Sequence, residues 1–143
     1  MKKWIVAAAL ATLAMNAHAA EKIRFASSAT YPPFESLDRE NQLVGFDIDL
    51  AKALCQQMKA DCTFTNNAFD SLIPSLKFRR YDAVISGMDI TPDRSKQVDF
   101  TQPYYANSAI VIARKGKFND FSQLKGKRIG VENGTTHQKF LQD

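Results

Sequence analysis

Strand-like and helix-like segments alternate along the chain from residue 22 onward, and this order constrains the fold more than any other feature of the sequence. Strand segments have alternate or unbroken apolar residues, and helix segments have apolar residues at intervals of three and four positions. The order is strand, helix, strand, helix and strand, at residues 22–26, 47–58, 63–65, 70–80 and 83–86. Because strands joined through helices pair in parallel, we expect an α/β fold with a parallel sheet and right-handed crossovers. Asp47 is the expected N-cap of the first helix.

A second region follows the alternating one. It contains two apolar strands, a short amphipathic turn and a helix, at residues 110–113, 128–131, 121–125 and 137–143. This last helix has neither a C-cap glycine nor a further element to pack against. We therefore expect the chain to be an N-terminal fragment of a longer protein.

The first nineteen residues have the order of a secretory signal peptide. Lys2 and Lys3 precede an apolar stretch over 4–15, and small residues follow at Ala17 and Ala19. The apolar stretch is shorter than the roughly 20 residues that cross a bilayer, so a membrane anchor is the weaker alternative. We expect cleavage after Ala19 and export across the membrane.

The charged residues argue against a nucleic-acid partner. The sequence carries 19 Lys and Arg against 15 Asp and Glu, which is a formal net charge of +4. Removal of the predicted signal peptide would remove Lys2 and Lys3 and leave 17 − 15 = +2. Basic and acidic residues alternate, whereas nucleic-acid-binding proteins concentrate basic residues on one face. A content of 45% hydrophobic and 24% charged residues also excludes a disordered or collagen-like chain.

Cys55 and Cys62 are the only cysteines and lie close together in the sequence. In an oxidising compartment such a pair is expected to form a disulfide. A metal site would need further Cys or His nearby, but the two histidines are His18, in the predicted signal peptide, and the distant His137. We expect no metal, no cofactor and no thiol catalysis.

Ligands of parallel α/β sheets bind at the carboxyl ends of strands, beside helix N-termini. Three such ends carry polar residues. The first has Ser27, Ser28, Thr30 and Tyr31, the second has Ser86, Gly87, Met88, Asp89 and the run Thr91 to Arg94, and the third has Glu132 to Thr136. We expect the ligand site where these ends meet.

The second strand end contains an arginine in an unfavourable place. Thr91 is the expected cap of a short helix with Pro92 at its first position, so Arg94 falls in the first turn, where the helix dipole disfavours a cation. We expect an anion to compensate. The structural alternative is a salt bridge with Asp89 or Asp93, and the functional one is a ligand carboxylate bound by Arg94 through two hydrogen bonds.

Other candidates stay open between structural and ligand-binding roles. Thr135 and Thr136, after Gly134, either cap the helix that follows or bind an anion. Tyr31 and Phe69 are either core residues or a pair of rings that sandwiches an aliphatic or guanidinium group. A phosphate ligand is disfavoured because the sequence has no phosphate-binding glycine motif.

Five longer stretches carry a family likeness. They are SATYPPFES, LVGFDIDLAKALCQQM, DSLIPSLKFRRYDAVISGMDITPDR, FTQPYY and LKGKRIGVENGTTHQKFLQD, at residues 28–36, 43–58, 70–94, 100–105 and 124–143. Together they resemble the periplasmic polar amino-acid binding proteins of ABC importers, whose signature is the run G-F-D-I-D-L that begins at Gly45. Both cysteines match the short disulfide of that family. The runs T-Y-P-P-F-E and S-G-M-D-I most resemble its arginine-binding members from enteric bacteria.

The resemblance implies a type II periplasmic binding protein fold, in which two α/β lobes are joined by two crossover strands and close on the ligand by a hinge motion. In this chain it implies a signal peptide over 1–19, most of lobe one over 20–107, a crossover strand over 108–113 and an incomplete lobe two over 114–143.

The resemblance also implies roles for single residues. Arg94 corresponds to the arginine that binds the ligand α-carboxylate, with help from Thr136 and the backbone around Asp89, and Tyr31 and Phe69 correspond to the rings that bracket the ligand side chain. Asp89 either meets the α-ammonium group or holds Arg94. The expected ligand-binding residues are Arg94, Tyr31, Phe69, Ser86, Gly87, Asp89, Thr136, Ser28, Thr135 and His137.

Ser28 departs from the pattern of related proteins. It stands where lysine/arginine/ornithine binders and histidine binders carry an aspartate that recognises the cationic side chain. The resemblance therefore leaves this contact to Ser28, to Glu35 or to a residue beyond Asp143.

The function implied is binding without catalysis. A monomer would capture a basic L-amino acid, arginine before the others, and deliver it to an ABC permease complex in the inner membrane. Two alternatives stay open. One is a secreted dehydratase acting on a cyclic aromatic amino-acid precursor, with His137 as acid or base, and the other is an extracytoplasmic sensor domain.

Overall fold

The computed structural model describes residues 20–143, so the predicted signal peptide over 1–19 lies outside the described residues. The strands are β1 (Lys22–Ser27), β2 (Ser36–Leu37), β3 (Leu43–Val44), β4 (Asp61–Asn66) and β5 (Ala83–Val84). The α-helices are α1 (Phe46–Met58), α2 (Leu72–Lys77), α3 (Pro92–Ser95) and α4 (Thr136–Gln142), and 3-10 turns cover Phe69–Ser71 and Phe121–Leu124. No helix in this part of the chain is long and apolar enough to cross a membrane.

Strands β4, β1 and β5 form a parallel sheet in that order, which confirms the predicted sheet. Phe25 of β1 pairs with Phe64 of β4 on one side and with Ala83 of β5 on the other. Since β1 and β5 are parallel neighbours, their carboxyl ends lie side by side. The amide of Ser28 accordingly donates to the hydroxyl of Ser86 at 2.8 Å. The short strands β2 and β3 form a separate antiparallel pair.

The apolar core lies between α1 and the sheet. Ala51 and Cys55 of α1 pack with Phe25 and Ile85 in one buried cluster. These helical residues are four positions apart, so they share the face of α1 that is turned to the sheet. A disulfide between Cys55 and Cys62 joins α1 to β4, and this confirms the predicted pairing.

Helix α1 begins one residue earlier than predicted, and Asp47 is not its cap. The N-cap is Gly45, whose φ of 126° and ψ of 178° lie in a region that only glycine adopts readily. A Cβ at this position would come 2.3 Å from the carbonyl oxygen of Phe34, so the packing of the preceding loop also requires glycine. Asp47 lies in the first turn, fully buried, and accepts hydrogen bonds from groups outside the helix.

The second helix is shorter than the predicted span 70–80, because its first residues form a 3-10 turn and Arg79 ends it. Arg79 has a left-handed φ of 56°, and its amide donates to the carbonyl of Leu76 at 2.9 Å. A left-handed residue with this backward bond is a common way to terminate a helix. Helix α2 therefore stops at Lys77.

The apolar segments 110–113 and 128–131, which the sequence predicts as strands, form no strand in the described chain. Ile110 and Ile112 are 79% and 86% exposed. A strand needs a neighbour for its backbone amides and carbonyls, and no other described segment pairs with either one. The 3-10 turn at Phe121–Leu124, which needs only local hydrogen bonds, does confirm the predicted turn between them.

Candidate functional site

A cleft of about 120 Å³ lies where the carboxyl ends of β1 and β5 meet the start of α4. Its wall consists of residues in the loops after β1 and β5, residues at the start of helices, and residues of irregular segments. They are Thr30, Tyr31, Glu35, Phe69, Ser86, Gly87, Asp89, Arg94, Asn107, Glu132, Thr135, Thr136 and His137. Every residue predicted for the site lines this cleft except Ser28. The three predicted strand ends therefore do converge, even though the third segment is not a strand.

Arg94 lies in the first turn of α3, as predicted. The hydroxyl of Thr91 accepts from the Arg94 amide at 3.2 Å, and Pro92 occupies the first helical position. The guanidinium donates from Nη1 to the carbonyl of Asp89 at 2.7 Å and from Nη2 to the carbonyl of Gly134 at 2.9 Å. Two backbone carbonyls thus orient the guanidinium across the cleft.

No carboxylate within the described chain forms a salt bridge with Arg94, so the structural alternative for this residue is wrong. Asp93 instead pairs with Lys139 at 3.1 Å and with Lys96 at 3.4 Å, and these cations lower the pKa of Asp93. Asp89 holds Arg94 through its backbone carbonyl rather than its carboxylate. Burial lowers the pKa of Arg94, and the nearby charge of Asp89 partly opposes this effect.

Tyr31 and Phe69 are part of the cleft wall and not of the core. The centre of the Phe69 ring lies 5.5 Å from the Arg94 guanidinium carbon, which is a cation–π distance. Tyr31 is 38% exposed, stacks on Phe34 with ring centroids 5.1 Å apart, and accepts from the Asn107 side chain at 3.0 Å through its hydroxyl. Both rings are therefore held in place at the cleft surface.

A buried hydrogen-bond chain links the ends of β1 and β5 to the cleft. The Ser28 amide donates to the Ser86 hydroxyl at 2.8 Å, and that hydroxyl donates to Oε1 of Glu35 at 2.9 Å. Ser28 is buried and does not line the cleft, whereas Glu35 is both buried and part of its wall. Burial raises the pKa of Glu35 to about 8, the Ser86 hydrogen bond opposes the shift, and the charge of Asp47 adds to it.

Asp47 is a second buried acid behind the cleft. Its Oδ2 accepts from the amide of Gly87 at 2.8 Å and from the hydroxyl of Tyr104 at 2.8 Å. Burial and the charge of Asp47 raise the pKa of Tyr104, so this hydroxyl stays protonated and keeps donating. Gly87 has a φ of 48°, and a Cβ there would meet the Tyr31 ring at 3.0 Å. The Asp47 hydrogen bond thus fixes a glycine that leaves room beside Tyr31.

The segment before and within α4 supplies the opposite wall. Thr135 caps this helix, which begins at Thr136, one residue before the predicted start. The Thr136 hydroxyl donates to the carboxylate of Asp89, and the Thr30 hydroxyl donates to Oε1 of Glu132 at 2.8 Å. Side chains from the two halves of the described chain, residues 20–107 and 114–143, therefore meet directly across the cleft.

Four residues of the cleft wall are not among the expected ligand-binding residues. They are Thr30, Asn107, Glu132 and Glu35, and the resemblance offered Glu35 only as one option for the side-chain contact. Thr30 and Glu132 belong to the strand ends that the sequence singles out, and their mutual hydrogen bond is a tertiary contact between distant residues. Asn107 lies in a segment without regular structure, and no local pattern marks it. It could be found only through its contact with Tyr31.

The cleft combines groups suited to a small ligand with charges of both signs. Arg94 supplies a cation, while Glu35 and Glu132 supply carboxyl groups, and Tyr31 and Phe69 supply ring faces. Within residues 20–143 no group of three or more His, Cys, Asp or Glu side chains is arranged to hold a metal ion.

The family model for bacterial extracellular solute-binding proteins, family 3, matches residues 23–137. The chain belongs to this family. The match covers β1 through the beginning of α4, and therefore includes every element that contributes to the cleft.

Among the relatives of this family 3 chain is the ABC transporter arginine-binding protein 1 of Escherichia coli (strain K12). The two are 72% identical over 143 residues, which is all of this chain and 59% of the relative. The chain thus spans about three fifths of the length of that curated relative.

Solved structures of the family agree with the fold. A periplasmic binding protein of Salmonella typhimurium, described by its high arginine specificity, is 58% identical with a TM-score of 0.84, and the match covers 87% of this chain and 56% of that one. The ancestral amino acid-binding protein AncCDT-1, a precursor of cyclohexadienyl dehydratase, is 44% identical with a TM-score of 0.56 over 59% of this chain and 37% of that one.

Proposed function

We propose that this chain is the N-terminal part of a periplasmic solute-binding protein that captures a basic L-amino acid, arginine before the others, for an ABC importer. The observation that carries the proposal is Arg94, a partly buried cation in the cleft wall that no carboxylate of the described chain neutralises. The name of the E. coli relative and the described specificity of the Salmonella structure support arginine as the ligand.

In this proposal Arg94 binds the α-carboxylate of the ligand. Its planar guanidinium is already oriented by two carbonyls and supported by the Phe69 ring, and the hydroxyl of Thr136 lies close by on Asp89. A carboxylate that enters the cleft would gain charge-assisted hydrogen bonds and neutralise the partly buried charge of Arg94. Tyr31 would bracket the ligand side chain together with Phe69.

The proposed domain division is lobe one over 20–107, a crossover strand over 108–113 and the beginning of lobe two over 114–143. The contacts of Glu132 and Thr136 with lobe-one residues across the cleft support it. The exposed apolar segments 110–113 and 128–131 also fit strands whose partners belong to the remainder of a second lobe. We further propose that the protein is a monomer, delivers its ligand to an inner-membrane permease complex, and is exported by a signal peptide cleaved after Ala19.

No observation favours the two alternatives. The E. coli relative is named as a binding protein, and AncCDT-1, although a precursor of a dehydratase, is itself an amino acid-binding protein. His137, the acid or base of the dehydratase alternative, lines the cleft, which contact with a bound ligand also explains. We therefore propose binding without catalysis and without a cofactor.

The test uses a completed protein, defined here as residues 20–143 joined to the C-terminal remainder of the E. coli relative. Isothermal calorimetry with arginine should show tight binding, and Arg94→Ala should weaken it by about 2–5 kcal/mol because the ligand carboxylate then loses its buried partner. Arg39→Ala is the matched control, since Arg39 is exposed and does not line the cleft. Equal arginine affinity in Arg94→Ala and the parent protein would show that the assignment is wrong.

A further inference from the structure

Asp47 is a buried carboxyl group that helix α1 does not use as its cap. The residue is 0% exposed and lies in the first turn of α1. Its Oδ1 is buried without a hydrogen-bond partner, and no cation within residues 20–143 forms a salt bridge with it. The helix dipole favours an acid in the first turn, but burial of an incompletely bonded carboxyl group is costly. The contacts of its other oxygen therefore need a reason beyond the stability of the helix.

The other oxygen of Asp47 joins two distant parts of the chain. Oδ2 accepts from the amide of Gly87, in the cleft wall, and from the hydroxyl of Tyr104, in the segment after α3, each at 2.8 Å. Hydrogen bonds to a carboxylate are among the stronger ones in proteins because the acceptor is charged. Gly87 and Tyr104 are thus held on one atom of a residue that is near neither of them in the sequence.

A second set of contacts runs from the same segment to the same glycine. The side-chain nitrogen of Asn107 donates to the hydroxyl of Tyr31 at 3.0 Å, and the Tyr31 ring lies 3.0 Å from where a Cβ of Gly87 would be. Because glycine has no side chain to restrict its backbone, contacts with other residues decide its position. Residues 104–107 therefore reach Gly87 from two sides, through Asp47 and through Tyr31.

We propose that Asp47 is a positioning residue of the binding cleft, which makes the cleft wall at Gly87 and the segment 104–107 move as one body. The inference rests on the proposed function and its domain division, in which a crossover strand begins at residue 108. A segment fixed to lobe one up to residue 107 places the bending of the chain after that residue. Closure then brings lobe two towards a cleft wall of constant geometry.

The effect of Asp47 on a ligand is indirect, since Asp47 itself does not line the cleft. Without its hydrogen bond to Tyr104, the wall at Gly87 and Tyr31 would occupy several positions. Only a fraction of the ligand-free molecules would then have the wall in the geometry that fits the ligand. The apparent affinity decreases in proportion to that fraction.

The first experiment removes one hydroxyl group from the completed protein. Tyr104→Phe keeps the ring, whose centroid lies 6.3 Å from that of Phe46, and loses the hydrogen bond to Asp47. Calorimetry should show an arginine affinity about five- to tenfold weaker than in the parent protein. Unchanged arginine affinity in Tyr104→Phe would overturn the inference.

Tyr105→Phe is the matched control for this substitution. Tyr105 is the adjacent tyrosine, does not line the cleft, and contacts Phe34 through its ring, which phenylalanine retains. Its arginine affinity should equal that of the parent protein. A loss as large as that in Tyr104→Phe would also overturn the inference.

Nuclear magnetic resonance of the ligand-free protein separates positioning from a general loss of stability. Tyr104→Phe should shift the amide proton resonance of Gly87 and accelerate its hydrogen exchange, while the amides of strand β1 keep their exchange rates. Equal acceleration at Gly87 and in β1 would indicate a loss of global stability alone, and would overturn the inference.

Asp47→Ala tests the connecting residue. It removes both hydrogen bonds, so adding Tyr104→Phe to it should cause no further loss of arginine affinity. If Asp47→Ala does not fold by circular dichroism, Asp47→Asn replaces it. Asparagine keeps an uncharged acceptor oxygen, and Tyr104→Phe should then reduce the affinity by a smaller factor than in the parent protein. Losses that multiply independently would overturn the inference, whereas a parent protein that does not bind arginine would refute the proposed function.

Discussion

Glu35 and Asp47 are neighbouring buried acids that differ in what satisfies them. Asp47 accepts two hydrogen bonds through one oxygen, from a backbone amide and a tyrosine hydroxyl, whereas Glu35 accepts one, from Ser86. Burial raises the pKa of Glu35 to about 8, the hydrogen bond from Ser86 opposes this shift, and the neighbouring Asp47 adds to it.

The raised pKa of Glu35 predicts a pH-dependent stability. A glutamate in the unfolded chain titrates near 4.5 and Glu35 in the folded chain near 8, so the folded state holds the extra proton between these values. The free energy of unfolding of the completed protein without ligand should therefore decrease as the pH rises through this interval, and level off above it. Urea denaturation at several pH values should show that Glu35→Gln removes this component. If the free energy of unfolding varied with pH in the same way in the variant and the parent protein, the assigned pKa of Glu35 would be wrong.

Which residues could be predicted from sequence depends on how local their surroundings are. The cap at Thr91 and the place of Arg94 follow from adjacent residues, because a cap needs only the next three positions. The environment of Glu35 depends on Ser86, 51 residues away, and on the fold of the sheet. Sequence patterns contain no information on such a contact, so the buried environment of the Glu35 carboxyl group could not be predicted.

At the scale of elements, the start of α1 depends on one glycine. Gly45 and Gly116 both have positive φ values, but a Cβ at Gly45 would overlap the backbone of Phe34, while a Cβ at Gly116 would meet nothing within 4 Å. Gly45→Ala should therefore destabilise the completed protein by at least about 3 kcal/mol in urea denaturation. Gly116→Ala should cost about 1–2 kcal/mol, the penalty of the left-handed backbone alone. Equal costs for the two variants would show that the contact with Phe34 is unimportant.

Strands and helices were predictable to different degrees. The core strands β1, β4 and β5 were found because each strand-like segment pairs with a neighbouring strand that the described chain itself contains. Segments 110–113 and 128–131 have equally apolar sequences and form no ladder, since strand formation requires a partner and not only a suitable composition. The boundary of α1 was missed by one residue because the role of Gly45 is set by a tertiary contact.

For the whole molecule, the exposed apolar residues of the second half predict the behaviour of the chain in isolation. Ile110, Ile112 and Phe140 are each more than half exposed. Residues 20–143 alone should therefore self-associate in size-exclusion chromatography with light scattering, whereas the completed protein should be a monomer. Under the proposed domain division, the isolated chain should also show no measurable heat with arginine. A monomeric isolated chain that binds arginine as tightly as the completed protein would contradict both the domain proposal and the fragment interpretation.

The pair of Asp93 and Lys139 joins the two halves of the chain at a place that is not part of the cleft lining. A ligand that contacts both halves binds more strongly when the two halves are already in contact in a larger fraction of the ligand-free protein. The apparent affinity scales with that fraction. Substitutions at these two positions would consequently change the ligand concentration that half-saturates the site. They would not change which ligand the site prefers. A fluorescent sensor built on the completed protein could be given several working ranges in this way, all reporting the same amino acid.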